Sequence, residues 1–219
     1  MPGVTISAGF GAGGSVVAPA VAERLGLTLL DRAISSRVAA HLRVSLKEAE
    51  TGCVERTLAG RLFDLLVPLS GGLLGAGTDA APPNAEPAPD EAAPFREHAE
   101  DIMRTALKAG AVILGRGGAA AFRDEPDVLR VRLFGPVESR IAQAQEIERI
   151  DEDTARRLLP EVDRARAQYV RRLYATDIDD PGLYHLQLES TAIPLSSCAD
   201  IIAATYSSYV GTAERTIQQ

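Results

Sequence analysis

The chain has 219 residues, 46% hydrophobic and 24% charged, enough for one domain with a substantial core and ordinary for a globular protein. Its formal net charge of −7 argues against nucleic acid or an anionic membrane surface as the main partner. Cys53 and Cys198 are far apart and have no histidines at metal-like spacing, so they read as reduced thiols rather than a zinc site or a structural disulfide. The N-terminus lacks a charged lead with a long apolar core, and no apolar run reaches membrane length, so a cytoplasmic location is expected.

Val4–Ser7 is a short apolar strand candidate, and Ser15–Leu25 reads as a helix closed by Gly26. Leu27–Leu29 predicts a second short strand that ends at Leu30-Asp31-Arg32. Helical patterns follow at Ala33–Leu42, from Ser45 with Ser45 and Glu48 spaced as a capping box, and over Gly52–Leu66. Composition then shifts. Ser70–Pro94 is dominated by Gly, Pro, Ala and acid, too poor in apolar surface to offset the entropy of ordering, and predicts a flexible insertion. Order resumes with a helix at Phe95–Lys108 and a strand at Ala111–Leu114 that runs into Gly115-Arg116-Gly117-Gly118. Val128–Phe134 predicts another strand, and Pro136 suits a helix N-terminus, where its missing donor costs nothing. Helices are expected over Val137–Ile147, Glu152–Leu159 and Glu161–Tyr174, then an acidic turn at Asp177–Gly182, a strand at Tyr184–Leu188 and a helix at Ser196–Tyr209. Strands alternating with helices imply an α/β sandwich around a mainly parallel sheet.

Three stretches carry chemistry. Ala8-x-x-x-x-Gly13-Gly14-Ser15 matches a phosphate-binding loop at every fixed position except lysine, where Gly14 stands. A strand before it and a helix after it would put an anion at a helix N-terminus, on free N–H groups. Gly11, Ala12, Gly13, Gly14, Ser15 and Val16 are the candidates to hold donor phosphates, with the Ser15 hydroxyl on magnesium. A glycine-rich turn that binds nothing, or a dinucleotide turn on Gly9-x-Gly11-x-x-Gly14, fits the same letters. Arg116 follows a strand expected beside the first, at the end of the sheet where ligands collect, and is placed to reach a second phosphate. Asp163-Arg164-Ala165-Arg166 lies on a charged helix. It reads either as a solvated face or as a lid whose Arg164 and Arg166 close over a transferring phosphoryl group.

The segments GFGAGGSVVAPAVAERLG, LLDRAI, VILGRGG, DVLRVRLFGPVESRI and EVDRARAQYVRRLYATDIDDPGLYHLQLES, in that order, resemble the cytidylate kinase-like family across nearly the whole chain outside Ser70–Pro94. The resemblance implies a P-loop NTPase-like three-layer α/β/α sandwich with a five-stranded, mainly parallel sheet in one domain, 1–219. That domain would comprise the loop and second strand (1–35), acceptor-region helices (36–110) with the insertion at 70–94, and core strands with a lid at about 148–182 (111–219). It implies transfer of the ATP γ-phosphoryl to CMP or a related small acceptor with Mg²⁺, Arg116, Arg164 and Arg166 serving catalysis and Asp31, Arg116 and Asp163 the acceptor. Partners would be small nucleotides, with no nucleic acid and no membrane, and a homodimer is a candidate assembly. A loop without lysine is a trait of that subgroup, but Ala8 and Gly9 stand where it carries Arg and Glu, so this loop contains no cation. The alternative on the same fold is an inactive protein that binds a nucleotide or anion in a regulatory role.

Overall fold

The computed structural model describes residues 3–31 and 92–216. The chain divides into two units, Met1–Arg32 with Ala99–Gln219, and Ala33–His98, and the sheet belongs to the first. The helices expected over Ala33–Leu42, from Ser45 and over Gly52–Leu66, and the insertion up to residue 91, lie outside the described residues.

Five parallel strands form one sheet in the order β2-β3-β1-β4-β5: β1 Gly3–Ala8, β2 Thr28–Leu30, β3 Ala111–Leu114, β4 Val128–Phe134 and β5 Leu186–Glu189. β3 is a continuous apolar run because helices cover both faces, as parallel sheets require, while β4 carries Arg130 and Arg132 among its apolar residues. On one face α1 (Gly14–Leu25) and α6 (Leu195–Thr216) pack Val17, Val21, Cys198 and Ile202 against Val4, Ile6, Leu129 and Val131. On the other, Met103 and Leu107 of α2 (Ala92–Lys108) pack with Phe122 against Ile113 and Val128. The short α3 (Gly118–Ala121), α4 (Val137–Glu148) and α5 (Glu152–Tyr174) complete the described α-helices, and Pro181–Leu183 forms a single 3-10 turn. This is the α/β P-loop architecture the sequence implied. No helix among the described residues is long and apolar enough to cross a membrane.

Several boundaries differ from the sequence reading; β2 lies one residue beyond Leu27–Leu29, and the last helix runs on to Thr216 rather than ending at Tyr209. The helices expected on either side of Pro160 are one helix of 23 residues. An interior proline costs roughly 3 kcal/mol, but burial of Ala155 and Leu159 before it, and of Val170 and Leu173 after it, holds both halves on one axis. Asp151 caps the start by accepting from the Thr154 amide at 2.7 Å. Helix α2 includes Ala92–Pro94, which composition assigns to the insertion. Strand β5 is shifted toward its C-terminus relative to Tyr184–Leu188; its register with β4 begins at Val131 and Leu186.

Just before β5, His185 is tied to a buried arginine. Its amide donates to the Arg130 carbonyl at 2.8 Å, and its Nδ1 accepts from the Arg130 amide at 3.3 Å. Burial, then the positive charge of Arg130, pulls its imidazole below the ordinary value of 6.5. A group depressed in the folded state takes its proton first in the unfolded chain, so its contribution is present above 6.5 and drains away as pH falls through it. Melting temperature is therefore expected to drop between about pH 7 and about pH 5.5, and His185→Gln to flatten that slope; an equal slope in both proteins would refute the assignment.

Candidate active site

The loop between β1 and α1 is held by side chains from distant parts of the chain, and the pairing of its backbone groups is one-sided. Every carbonyl from Ala8 to Gly13 has a donor. Arg166 Nη1 donates to Ala8 at 2.6 Å, the Ala12 amide to Gly9, Arg140 Nη1 to Phe10 at 3.0 Å, and Gln143 Nε2 to Gly11 at 2.9 Å. Ser190 Oγ donates to Ala12 at 2.8 Å, and the Val16 and Val17 amides to Gly13. On the amide side, Phe10 donates to Asp163 Oδ1 at 2.8 Å, but Gly11, Gly13, Gly14 and Ser15 have no acceptor among the described residues. Backbone polar groups away from water are almost always paired. A loop that turns its carbonyls onto its own scaffold and leaves four amides at a helix N-terminus presents the donor set that an anion would need.

The glycines serve close packing as well as conformation. A Cβ on Gly11 (φ +73) would lie 2.1 Å from the Arg140 carbonyl, and one on Gly13 (φ +72) 2.5 Å from Leu195 Cδ2. A Cβ on Gly9 would meet Arg140 Nη1 at 2.7 Å. Ala12 is buried, whereas Ser15 and Val16 are exposed at the first turn of α1. Among the described residues no group of three or more His, Cys, Asp or Glu side chains could hold a metal.

A cavity of about 300 Å³ opens beside the loop, at the C-terminal ends of β1 and β4, between Ser7, Gly9 and Phe134 on one side and α5 on the other. Arg132, Arg140 and Arg166 line it, against Asp163 and Asp179, so three positive charges face two negative ones and the lining carries a net +1. Arg132 is held by the Ile178 carbonyl and by Asp179. Tyr184 Oη donates to the same Ile178 carbonyl at 2.7 Å, and burial raises its hydroxyl above the ordinary value against the pull of Ser7 and Arg132. The turn at 177–180, legible in the sequence only as acidic, is thus anchored to the sheet by Arg132.

Arg116 stands at the end of β3, in the left-handed region (φ 58) between Gly115 (φ 76) and Gly117 (φ 67). Its Nε donates to the Asp31 carbonyl at 3.2 Å, so the two residues expected to serve the acceptor do meet, through the Asp31 backbone. Burial lowers the Arg116 guanidinium from its ordinary value, opposed by attraction to Tyr169 and Asp31. Tyr169 of α5 is pushed up to about 12 by burial, with Arg116 opposing. A Cβ on Gly117 would lie 2.6 Å from Tyr174 and 3.3 Å from Tyr169, so α5 seats against this turn as well as against the loop.

Of the lid residues expected from sequence, Arg166 reaches the loop and Asp163 binds the Phe10 amide and Arg140. Arg164 is exposed and makes no hydrogen bond or ion pair with other described residues. Sequence reasoning does not single out Arg132, Arg140, Gln143 or Ser190. Arg132 and Arg140 do fall within the DVLRVRLFGPVESRI segment, and an arginine alternating into an apolar strand is the available signal for the first.

Strand order, loop and helix N-terminus together define a kinase-like P-loop protein. A family model described as the cytidylate kinase-like family matches residues 3–192, and the chain belongs to that family. Among solved structures it is similar to an uncharacterised protein from Eubacterium ventriosum, at 18% identity and TM-score 0.62 over 94% of this chain and 98% of that one. It is also similar to a gluconokinase from Sinorhizobium meliloti, at 13% identity and TM-score 0.53 over 98% and 97%. No curated protein sequence matches.

Proposed function

We propose that the protein is a nucleoside monophosphate kinase-like phosphotransferase that moves the γ-phosphoryl of ATP to CMP or a related small acceptor. The observation that carries this reading is the one-sided pairing of the loop, in which the carbonyls of residues 8–13 are all bound by the chain and the amides of Gly11, Gly13, Gly14 and Ser15 are not. Donor phosphates would lie on those amides. When bound, magnesium, held by Ser15 and phosphate oxygens, supplies charge neutralisation. Arg166 stands in for the cation that the loop lacks, facing the arginine-lined cavity, and Arg116 with Asp31 serves the acceptor. Transfer between phosphates needs alignment and charge stabilisation more than a general base.

A second reading has one observation in its favour: Arg166 is engaged by Ala8 at 2.6 Å, so the loop's nearest cation is already in use. On that reading the protein holds a nucleotide without turnover. A screen of nucleoside monophosphates with ATP and magnesium separates the two. ADP formation that depends on the acceptor, strongest with CMP or a close analogue, is the expected result. Thermal stabilisation by nucleotide without acceptor-dependent turnover would leave only the binding reading. No stabilisation by ATP or CMP at concentrations well above a useful dissociation constant would sink both.

A further inference from the structure

We infer that Asp163 and Arg140 form a positioning clamp that presets the loop in its anion-receptive conformation, a role distinct from contact with the acceptor. The pair is closely built. Arg140 Nη1 lies 2.6 Å from Asp163 Oδ2, and the Arg140 side chain is only 11% exposed. Each partner then reaches a different polar group of the same residue. Asp163 Oδ1 accepts from the Phe10 amide, while Arg140 donates to the Phe10 carbonyl and, through Nε, to the Gly135 carbonyl at 3.0 Å.

Phe10 is therefore held at both backbone polar groups by one ion pair. Its amide is turned away from the cradle, and its carbonyl is drawn off to α4. The residues beyond it, Gly11 to Ser15, carry the four amides left without acceptors among the described residues. Glycine-rich backbone samples many conformers, and ordering it on ligand binding costs conformational entropy. A loop fixed beforehand does not incur that cost when the anion arrives. The clamp thus compensates for the flexibility of Gly9, Gly11, Gly13 and Gly14. Asp163 belongs to α5 and Arg140 to α4, so the two helices position the loop together.

Amide hydrogen exchange of the ligand-free protein tests the clamp directly, and the binding arm rests on the phosphotransferase reading. In Asp163→Ala, exchange at the bonded loop amides, Phe10 to Asp163 and Ala12 to Gly9, is expected to rise, at Phe10 by roughly 10- to 100-fold, the range lost with a hydrogen bond to a charged group. Amides of β1 and β3 should keep their protection. Asp163→Asn keeps a carbonyl oxygen for the Phe10 amide and should restore most of the protection of that residue. Asp151→Ala, which weakens the start of α5, is the structural control and should leave the loop amides unchanged. Arg140→Met approaches the clamp from α4 and should release the same amides if Asp163→Ala does not fold. Unchanged exchange at Phe10 and Ala12 in both clamp variants, or an equal rise in Asp151→Ala, would overturn the proposal. Calorimetric titration with tripolyphosphate and with ATP should show the dissociation constant raised by roughly tenfold or more in Asp163→Ala. If the wild-type chain binds neither, the phosphotransferase reading fails while the exchange data still judge the clamp.

Discussion

Replacing Arg166 by alanine is expected to lower acceptor-dependent phosphoryl transfer by about three orders of magnitude, the lower end of what a single phosphate-facing arginine contributes in such reactions. The magnitude follows from the charge present. Ala8 to Ser15 contain no cation, and the cavity beside them carries only a net +1 from its lining. Removing one guanidinium brings that to zero and leaves Asp163 and Asp179 facing the incoming phosphates. Arg132 is held by Asp179 and the Ile178 carbonyl, and Arg140 by three acceptors of the chain, so neither takes over without giving up its anchor. Arg166→Lys keeps the charge but loses the fork and should recover part of the rate. Steady-state rates at saturating ATP with the preferred acceptor measure the effect. Turnover within about tenfold of wild type in the alanine variant would remove Arg166 from the mechanism.

Gly11→Ala is expected to be the most damaging single-methyl change in the loop. Two costs add there. A residue with a Cβ at positive φ loses roughly 1–2 kcal/mol, and the new methyl would sit 2.1 Å from the Arg140 carbonyl, a backbone atom inside α4. A total of about 3 kcal/mol would lower the melting temperature by roughly 6–12 °C for a chain of this size. It would also displace one of the four cradle amides, so ATP affinity should fall with stability. Gly26 supplies the comparison. It too has positive φ (+63), but nothing lies within 4 Å of a Cβ built on it. Gly26→Ala should therefore cost only the conformational part. Calorimetric melts of both variants decide the matter; equal losses would show that contact with α4 adds nothing.

Much of the fold was legible because parallel strands leave a simple trace. Ala111–Leu114 is a short apolar run between Gly110 and Gly115, and Val128–Phe134, apolar apart from Arg130 and Arg132, is stopped by Gly135-Pro136; both are strands at those residues. The break expected at Pro160 does not occur, for a reason outside local sequence. Proline removes a donor wherever it stands, but whether the helix survives depends on packing against distant residues. The loop itself could be read from its glycine spacing. Its scaffold could not, since Arg140 lies 130 residues from the carbonyl it holds and Ser190 lies 178. Nothing near those positions marks them as loop ligands; only the parallel sheet, by returning β4 and β5 to the side of β1, brings them there. Asp163 and Arg166 stand out in the sequence because they share a helix face. That spacing is what lets both reach the loop, although it does not disclose that the carboxylate meets a backbone amide and a second arginine.

The turn after β3 has a bearing on how this chain tolerates change. Three left-handed residues follow one another, and the middle one, Arg116, is the only one of them with a side chain. Glycine at that position would relieve roughly 1–2 kcal/mol of backbone strain, but it would add freedom to the unfolded chain and lose the bond to the Asp31 carbonyl, costs of about the same size. Selection for folding alone would therefore hold the arginine only weakly and leave the position free to drift. Arg116 is the residue such drift would erase first, and a library of this protein screened solely for heat resistance should lose it before it loses any part of the core.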